Sequence, residues 1–179
     1  TERVDIVKIP KPLYGRAMTR TSLADMNCSF ARAADVIGDK WALLIVRDAF
    51  YGVSRFAQFK RRLGVAPTVL TDRLETLCAN GVLERYQPRA GVDRFAYRLT
   101  DAGRALFPIV VSFMQWGDEW ISGAGNEPVR LSEKRTGKPI AAVQVQNLDG
   151  QRLDPSEVAF APGSGADAGT RAAFARAGV

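Results

Sequence analysis

Three groups of side chains in this sequence have the types and spacing to do chemistry. The first surrounds the stretch RRLGVAPTVLTDRLETLCANGVLERY, from Arg61 to Tyr86. Thr68 and Thr71 follow Pro67 with short hydroxyls that both donate and accept, and Arg73 comes two residues later. Lys60, Arg61 and Arg62 precede them, while Arg89 and Arg94 flank the turn PRAGVD beyond. Hydroxyls read hydrogen-bonding edges and guanidinium groups hold phosphates, so this group suits a polyanion that has an edge to read. The second group is a pair of thiols, Cys28 and Cys78. They do not form a disulfide scaffold, which makes a reducing cytoplasm the expected compartment. The third is aromatic. Trp41, Phe107, Trp116 and Trp120 are candidates to line an effector cleft or a subunit interface, and such residues equally well fill a core.

Histidine is absent. That excludes histidine bases, Ser-His-Asp triads and histidine zinc ligands, and the sequence contains no GxxxxGK[ST] or GxGxxG phosphate loop. Asp35, Asp39 and Asp48 could be paired on paper, but solvated helix faces suit them better. The chain is therefore not read as an enzyme, and no cofactor or metal is expected.

The elements that would position the first group can be read from spacing. CSFARAADVIGDKWALLIVRDAF reads as two helices broken at Gly38-Asp39, with Phe30, Ala33, Ala34 and Ile37 on one stripe and Trp41, Leu44, Ile45 and Phe50 on another. Asp39 is placed to cap the second helix, and Ser54 to cap a third, RFAQFKRRL, whose Phe56, Phe59 and Leu63 are spaced for burial. In the helix after Pro67, Leu70, Leu74, Leu77 and Cys78 share one face, and Thr68, Asp72 and Ala79 point away. Asn80-Gly81 stops that helix. VLERYQ and RFAYRLT then read as two strands around a glycine-containing tip, with Phe95, Tyr97 and Leu99 alternating with Ala96 and Arg98. Helix, turn, helix and a two-stranded ribbon is the order of a winged helix-turn-helix. The helix after Pro67 would lie in a B-form major groove and the wing beside the minor groove or backbone.

Charge follows the same layout. Lys plus Arg number 25 against 19 Asp plus Glu, a net of +6. Residues 28–62 carry seven basic and three acidic side chains, whereas residues 101–122 carry one and three. No apolar run is long enough for a membrane span. From Asp101 to Ile121 the helix DAGRALFPIVVSFMQWGDEWI is apolar on two stripes. Leu106, Ile109, Phe113 and Trp120 form one; Phe107, Val110, Val111 and Met114 form the other. Thr100 is its expected N-cap and Pro108 its expected kink. Two stripes call for two partners, the domain body and a second subunit, although a central helix buried in a monomer has the same pattern.

Between residues 28 and 120 the run of motifs resembles the HxlR family of bacterial transcriptional regulators: a cysteine, then DVIGDKW, RF, LGVAPTVLTDRL, GVLER, YRLTDAG and WGDEW. Ser29 stands where the family often has proline after the cysteine. The resemblance implies a cytoplasmic homodimer that binds double-stranded operator DNA near the promoters it controls, most often as a repressor. It also matches Cys28 to a cysteine that some members use as a thiol sensor. A helix N-terminus favours thiolate there, while a half-buried place at a dimer junction is the plainer alternative. Tails of this outline in similar proteins can carry cysteines suited to a zinc ribbon. Here the GKP and LDG positions have neither Cys nor His.

The expected class is thus mainly α with a small β-wing. An arm spans 1–27, a winged helix-turn-helix domain 28–100 and a dimerisation helix 101–122. An appendage over 123–162 carries a strand pair at Ala141, Val143 and Val145 around the turn NLDG, and 163–179 forms a flexible or helical tail. The expected partners are duplex DNA, a second copy of the chain and a small effector. A winged-helix protein-interaction module without specific DNA binding remains the alternative, and exposed apolar anchors on the third helix and wing would favour it.

Overall fold

The computed structural model describes residues 22–88 and 95–177, and the chain divides between Val110 and Val111 into two compact units. Four helices open the first unit: α1 (Ser29–Ile37), α2 (Lys40–Phe50), α3 (Phe56–Leu63) and α4 (Pro67–Ala79). Strands β1 (Leu83–Tyr86) and β2 (Ala96–Leu99) follow, paired antiparallel with Leu83 opposite Leu99 and Tyr86 opposite Ala96. This is a winged helix-turn-helix. Ile45 and Val46 of α2, Phe59 of α3, Leu70, Leu74 and Leu77 of α4 and Leu83 of β1 are all buried. Each contributes roughly 1.5–3 kcal/mol for an aliphatic or aromatic side chain taken out of water. The Phe59 ring meets Tyr97 edge-on, and the Tyr97 amide donates to the Ser54 carbonyl at 2.7 Å, which ties the ribbon to the start of α3.

Local chemistry sets the boundaries. The Asp39 carboxylate accepts from the amides of Trp41 and Ala42 and caps α2 as expected. α4 ends at Asn80 and Gly81, the latter at φ 66°, and the Val82 amide returns to the Leu77 carbonyl. Thr100 caps α5 (Asp101–Arg104) by accepting from the Gly103 amide.

Several expectations are corrected. Arg55, not Ser54, precedes the first turn of α3, because the Gln58 side chain reaches back to the amides of both. Phe30 is 83% exposed, and α1 buries Ala31 and Asp35 instead. The inward face is shifted because Asp35 finds a polar partner there, the Ser22 hydroxyl at 3.1 Å. Asp35 is therefore not on a solvated face. At the start of β2 the small Ala96 is buried, while Phe95 just before it is exposed with the Arg85 guanidinium 4.1 Å from its ring centre. The helix expected over 101–121 is broken into α5 and α6 (Phe107–Gly117) by a turn at Ala105-Leu106. Pro108 explains the break, since it cannot donate to the Arg104 carbonyl and its ring crowds that turn.

α6 crosses into the second unit and ends in a π-helical turn, Asp118–Ser122. Along it Val110 and Val111 are buried, whereas Ile109, Phe113, Trp116 and Trp120 are exposed. Two tight turns follow, closed by the isolated bridges Ser132–Pro139 and Gln146–Arg152. The NLDG turn forms, with Asn147 Oδ1 accepting from the amides of Asp149 and Gln151. The strand pair expected at Ala141, Val143 and Val145 is reduced to single bridges. The Gln115 side-chain amide takes the Ala141 carbonyl and the Val143 amide, backbone groups that a neighbouring strand would need. A short 3-10 turn (Pro155–Glu157) and α7 (Ala168–Ala177) complete the unit. Among the described residues no helix is long and apolar enough to cross a membrane, and no cluster of His, Cys, Asp and Glu could hold a metal ion.

Candidate nucleic-acid interface

α4 has two sharply different sides. Leu70, Leu74 and Leu77 are fully buried, and Cys78 beside them is half-buried. Thr68, Thr71, Asp72 and Glu75 are exposed. Pro67 occupies the first helical position, and Ala66 before it has no side chain with which to cap. The Thr68 and Val69 amides therefore have no capping oxygen from Ala66, and the helix N-terminus carries its partial positive charge outward. Short hydroxyls, uncapped amides and positive potential on one helix end are the equipment for docking to phosphate and reading base edges.

The cations differ in how they are held. Lys60 and Arg61, at the end of α3, are exposed and form no ion pair with a described residue. The Arg62 Nε donates to Asp48 Oδ2 at 3.0 Å, and this bond, with the nearby negative charge, raises the Arg62 pKa. Arg73 is also held: its Nε donates to Asp39 Oδ1 at 2.9 Å and another guanidinium nitrogen reaches Asp72. Burial pushes the Asp39 carboxyl upward, but Arg73 and the two capping amides outweigh it and hold the pKa below its ordinary value. Arg89 and Arg94, the expected wing-tip cations, lie outside the described residues.

Asp48 corrects the sequence reading most clearly. Its side chain is 0% exposed, not solvated, and Arg47 engages it along with Arg62. The signal was present: Asp48 lies three residues after the buried Ile45, beside the inward face of α2, where a carboxylate survives only with partners. Arg47 and Tyr51, which complete this cluster, were not singled out from the sequence.

Cys28 is exposed at the position before α1, and burial pushes the Cys78 thiol pKa up. Trp41 is half-buried with the Lys40 ammonium 5.2 Å from its ring centre, and Phe107 lies against Phe50, 5.0 Å between ring centres. These two belong to the first unit, and the exposed Trp116 and Trp120 to the second.

Comparison with known proteins agrees with this geometry. The HxlR-like helix-turn-helix family matches residues 36–124. The HTH-type transcriptional regulator Rv3095 of Mycobacterium tuberculosis is 36% identical over 137 residues, covering 76% of this chain and 87% of that protein. YvaP of Bacillus subtilis, another HTH-type transcriptional regulator, is 34% identical over 55% of this chain and 92% of its own. Among solved structures, the transcription factor PA1607 superposes with a TM-score of 0.74 at 41% identity, over 79% of this chain and 99% of that one. PA1374 from Pseudomonas aeruginosa gives 0.58 at 31% identity, over 82% and 99%. The leucine-buried, polar-faced α4 and the two-stranded wing that follows agree with relatives named as transcriptional regulators, and the chain belongs to the HxlR-like helix-turn-helix family of DNA-binding transcriptional regulators.

Proposed function

We propose that this regulator acts in the cytoplasm as a homodimer on a pseudo-palindromic operator and represses the promoters it occupies. One observation carries the reading: α4 buries its leucines and exposes Thr68 and Thr71 at an uncapped N-terminus, beside the exposed Lys60 and Arg61. In this reading Thr68 and Thr71 meet base edges or adjacent phosphates, and Pro67 lets the backbone come close. Lys60, Arg61 and Arg62, with Arg89 and Arg94 of the wing, hold phosphates. Arg73 contacts DNA only if it leaves Asp39.

The exposed Phe113, Trp116 and Trp120 support the second-subunit contact, since large apolar side chains left in water mark an association surface. Control falls to a small effector or to modification of the exposed Cys28 thiol. Repression is the sign of control that the family resemblance implies.

Selection of bound duplexes from a random-sequence pool tests the reading. The expected product is an inverted repeat whose half-sites are roughly 10 bp apart, or a small multiple of that. Recovery of no enriched sequence would overturn it and favour a protein-interaction module.

A further inference from the structure

The buried Asp48 has no role in the helix-turn-helix reading, yet it gathers an unusual group. Its Oδ1 accepts from Arg47 Nε at 3.1 Å and from a terminal Arg47 nitrogen at 2.8 Å, while its Oδ2 accepts from Arg62 Nε at 3.0 Å. Both guanidinium carbons lie 5.7 Å from the centre of the Tyr51 ring. The carboxylate is sealed from water, but the two cations it holds are 32% and 45% exposed. Tyr51 is exposed as well.

We propose that Arg47 and Arg62, fixed by Asp48 and set over the Tyr51 ring, form a phosphate-binding pair that grips the backbone of duplex DNA beside the groove entered by α4. The proposal rests on the operator-binding reading and adds Arg47 and Tyr51 to the contact surface.

Three physical features of the cluster suit it to this role. One carboxylate balances one of the two guanidinium groups, so the group keeps a net positive charge next to Lys60 and Arg61. A phosphodiester is the partner for such a charge on this face. Second, the Arg62 bond to Asp48 uses Nε, and among the described residues both terminal nitrogens are left as donors for phosphate oxygens. Third, long cationic side chains ordinarily lose rotamer freedom when they clamp a phosphate. Here a buried anion and an aromatic face have already ordered them, so less freedom is given up on binding. Position agrees as well: Arg62 lies five residues before Pro67, the first residue of α4.

A purely structural ion cluster would use the same contacts, so the test must separate the two roles. Removing Arg62 alone leaves Asp48 with less compensation and threatens the fold. The informative variant is therefore Arg62→Gln combined with Asp48→Asn, which leaves the net charge of the chain unchanged. Arg47→Gln with Asp48→Asn is its counterpart. The readout is the dependence of operator affinity on salt concentration, measured by anisotropy with the full-length protein. Melting temperature and circular dichroism select the variants that are folded.

Removing one arginine–phosphate interaction should lower the slope of log K against log salt by about 0.9 per subunit. A fall of that size in both double variants, with the fold intact, supports the proposal. A slope equal to wild type in either folded variant overturns the pair and leaves that arginine a structural residue. If the wild-type protein itself binds no duplex in preference to competitor, the operator reading fails, and that outcome is distinct from an unchanged slope.

Discussion

Thr68 and Thr71 differ from the nearby cations in what they can contribute, and substitution should separate the two. Replacing either threonine by alanine is expected to relax or change sequence preference by about 1–3 kcal/mol at one base pair, with the salt slope unaltered. Parallel binding to operators mutated one position at a time checks this. The two thiols should also part. Cys28 is exposed, and the Cys78 pKa is raised by burial, so less Cys78 is thiolate at neutral pH. A thiol reagent should label Cys28 first in the folded protein, and mass spectrometry of partly labelled samples gives the order. Asp39 ties the α2 cap to Arg73 of α4 and has a lowered pKa. Its contribution to stability is present above the unfolded pKa of about 4 and is lost as pH falls through the lower folded value. Asp39→Asn should therefore lower the melting temperature at neutral pH and narrow its difference from wild type in acid.

At the scale of elements, the packing of α5 on the ribbon depends on Gly103. A β-carbon there would sit 2.1 Å from the Val82 carbonyl oxygen and 3.0 Å from the Leu99 side chain. Gly103→Ala should destabilise the fold by about 1–3 kcal/mol, read from chemical denaturation, because backbone must shift to admit one methyl group. Elements fixed by local chemistry were legible in the sequence. α4 with its leucine face, the Asp39 and Thr100 caps and the stop at Asn80-Gly81 all follow from spacing and short-range bonding. Features decided by tertiary partners were not. Asp35 and Asp48 read as surface residues because their partners, Ser22 and Arg62, lie 13 and 14 positions away. Phe95 and Ala96 exchange their expected places because the ribbon admits a small residue, while Arg85 covers the exposed aromatic ring. Of the candidate site, the hydroxyls and cations were visible as residue types. That Arg62 and Arg73 are held by carboxylates, while Lys60 and Arg61 pair with no described residue, required the structure.

For the whole molecule, the proposed operator symmetry depends on a second subunit. Trp120 is 70% exposed, and Phe113 and Trp116 are also left in water. Trp120→Glu should shift the hydrodynamic mass from twice the 19.5 kDa chain towards one chain, and operator affinity should fall with it. A wild-type mass equal to one chain under dilute conditions would remove the dimer. The most direct measurement is an anisotropy titration of the wild-type protein on the selected duplex, at fixed salt, in the presence of excess scrambled duplex. A specific operator protein should keep its target against the competitor, with a preference of at least about a thousandfold. Displacement by scrambled duplex in simple proportion to its concentration would contradict sequence-specific operator binding and leave only a basic surface.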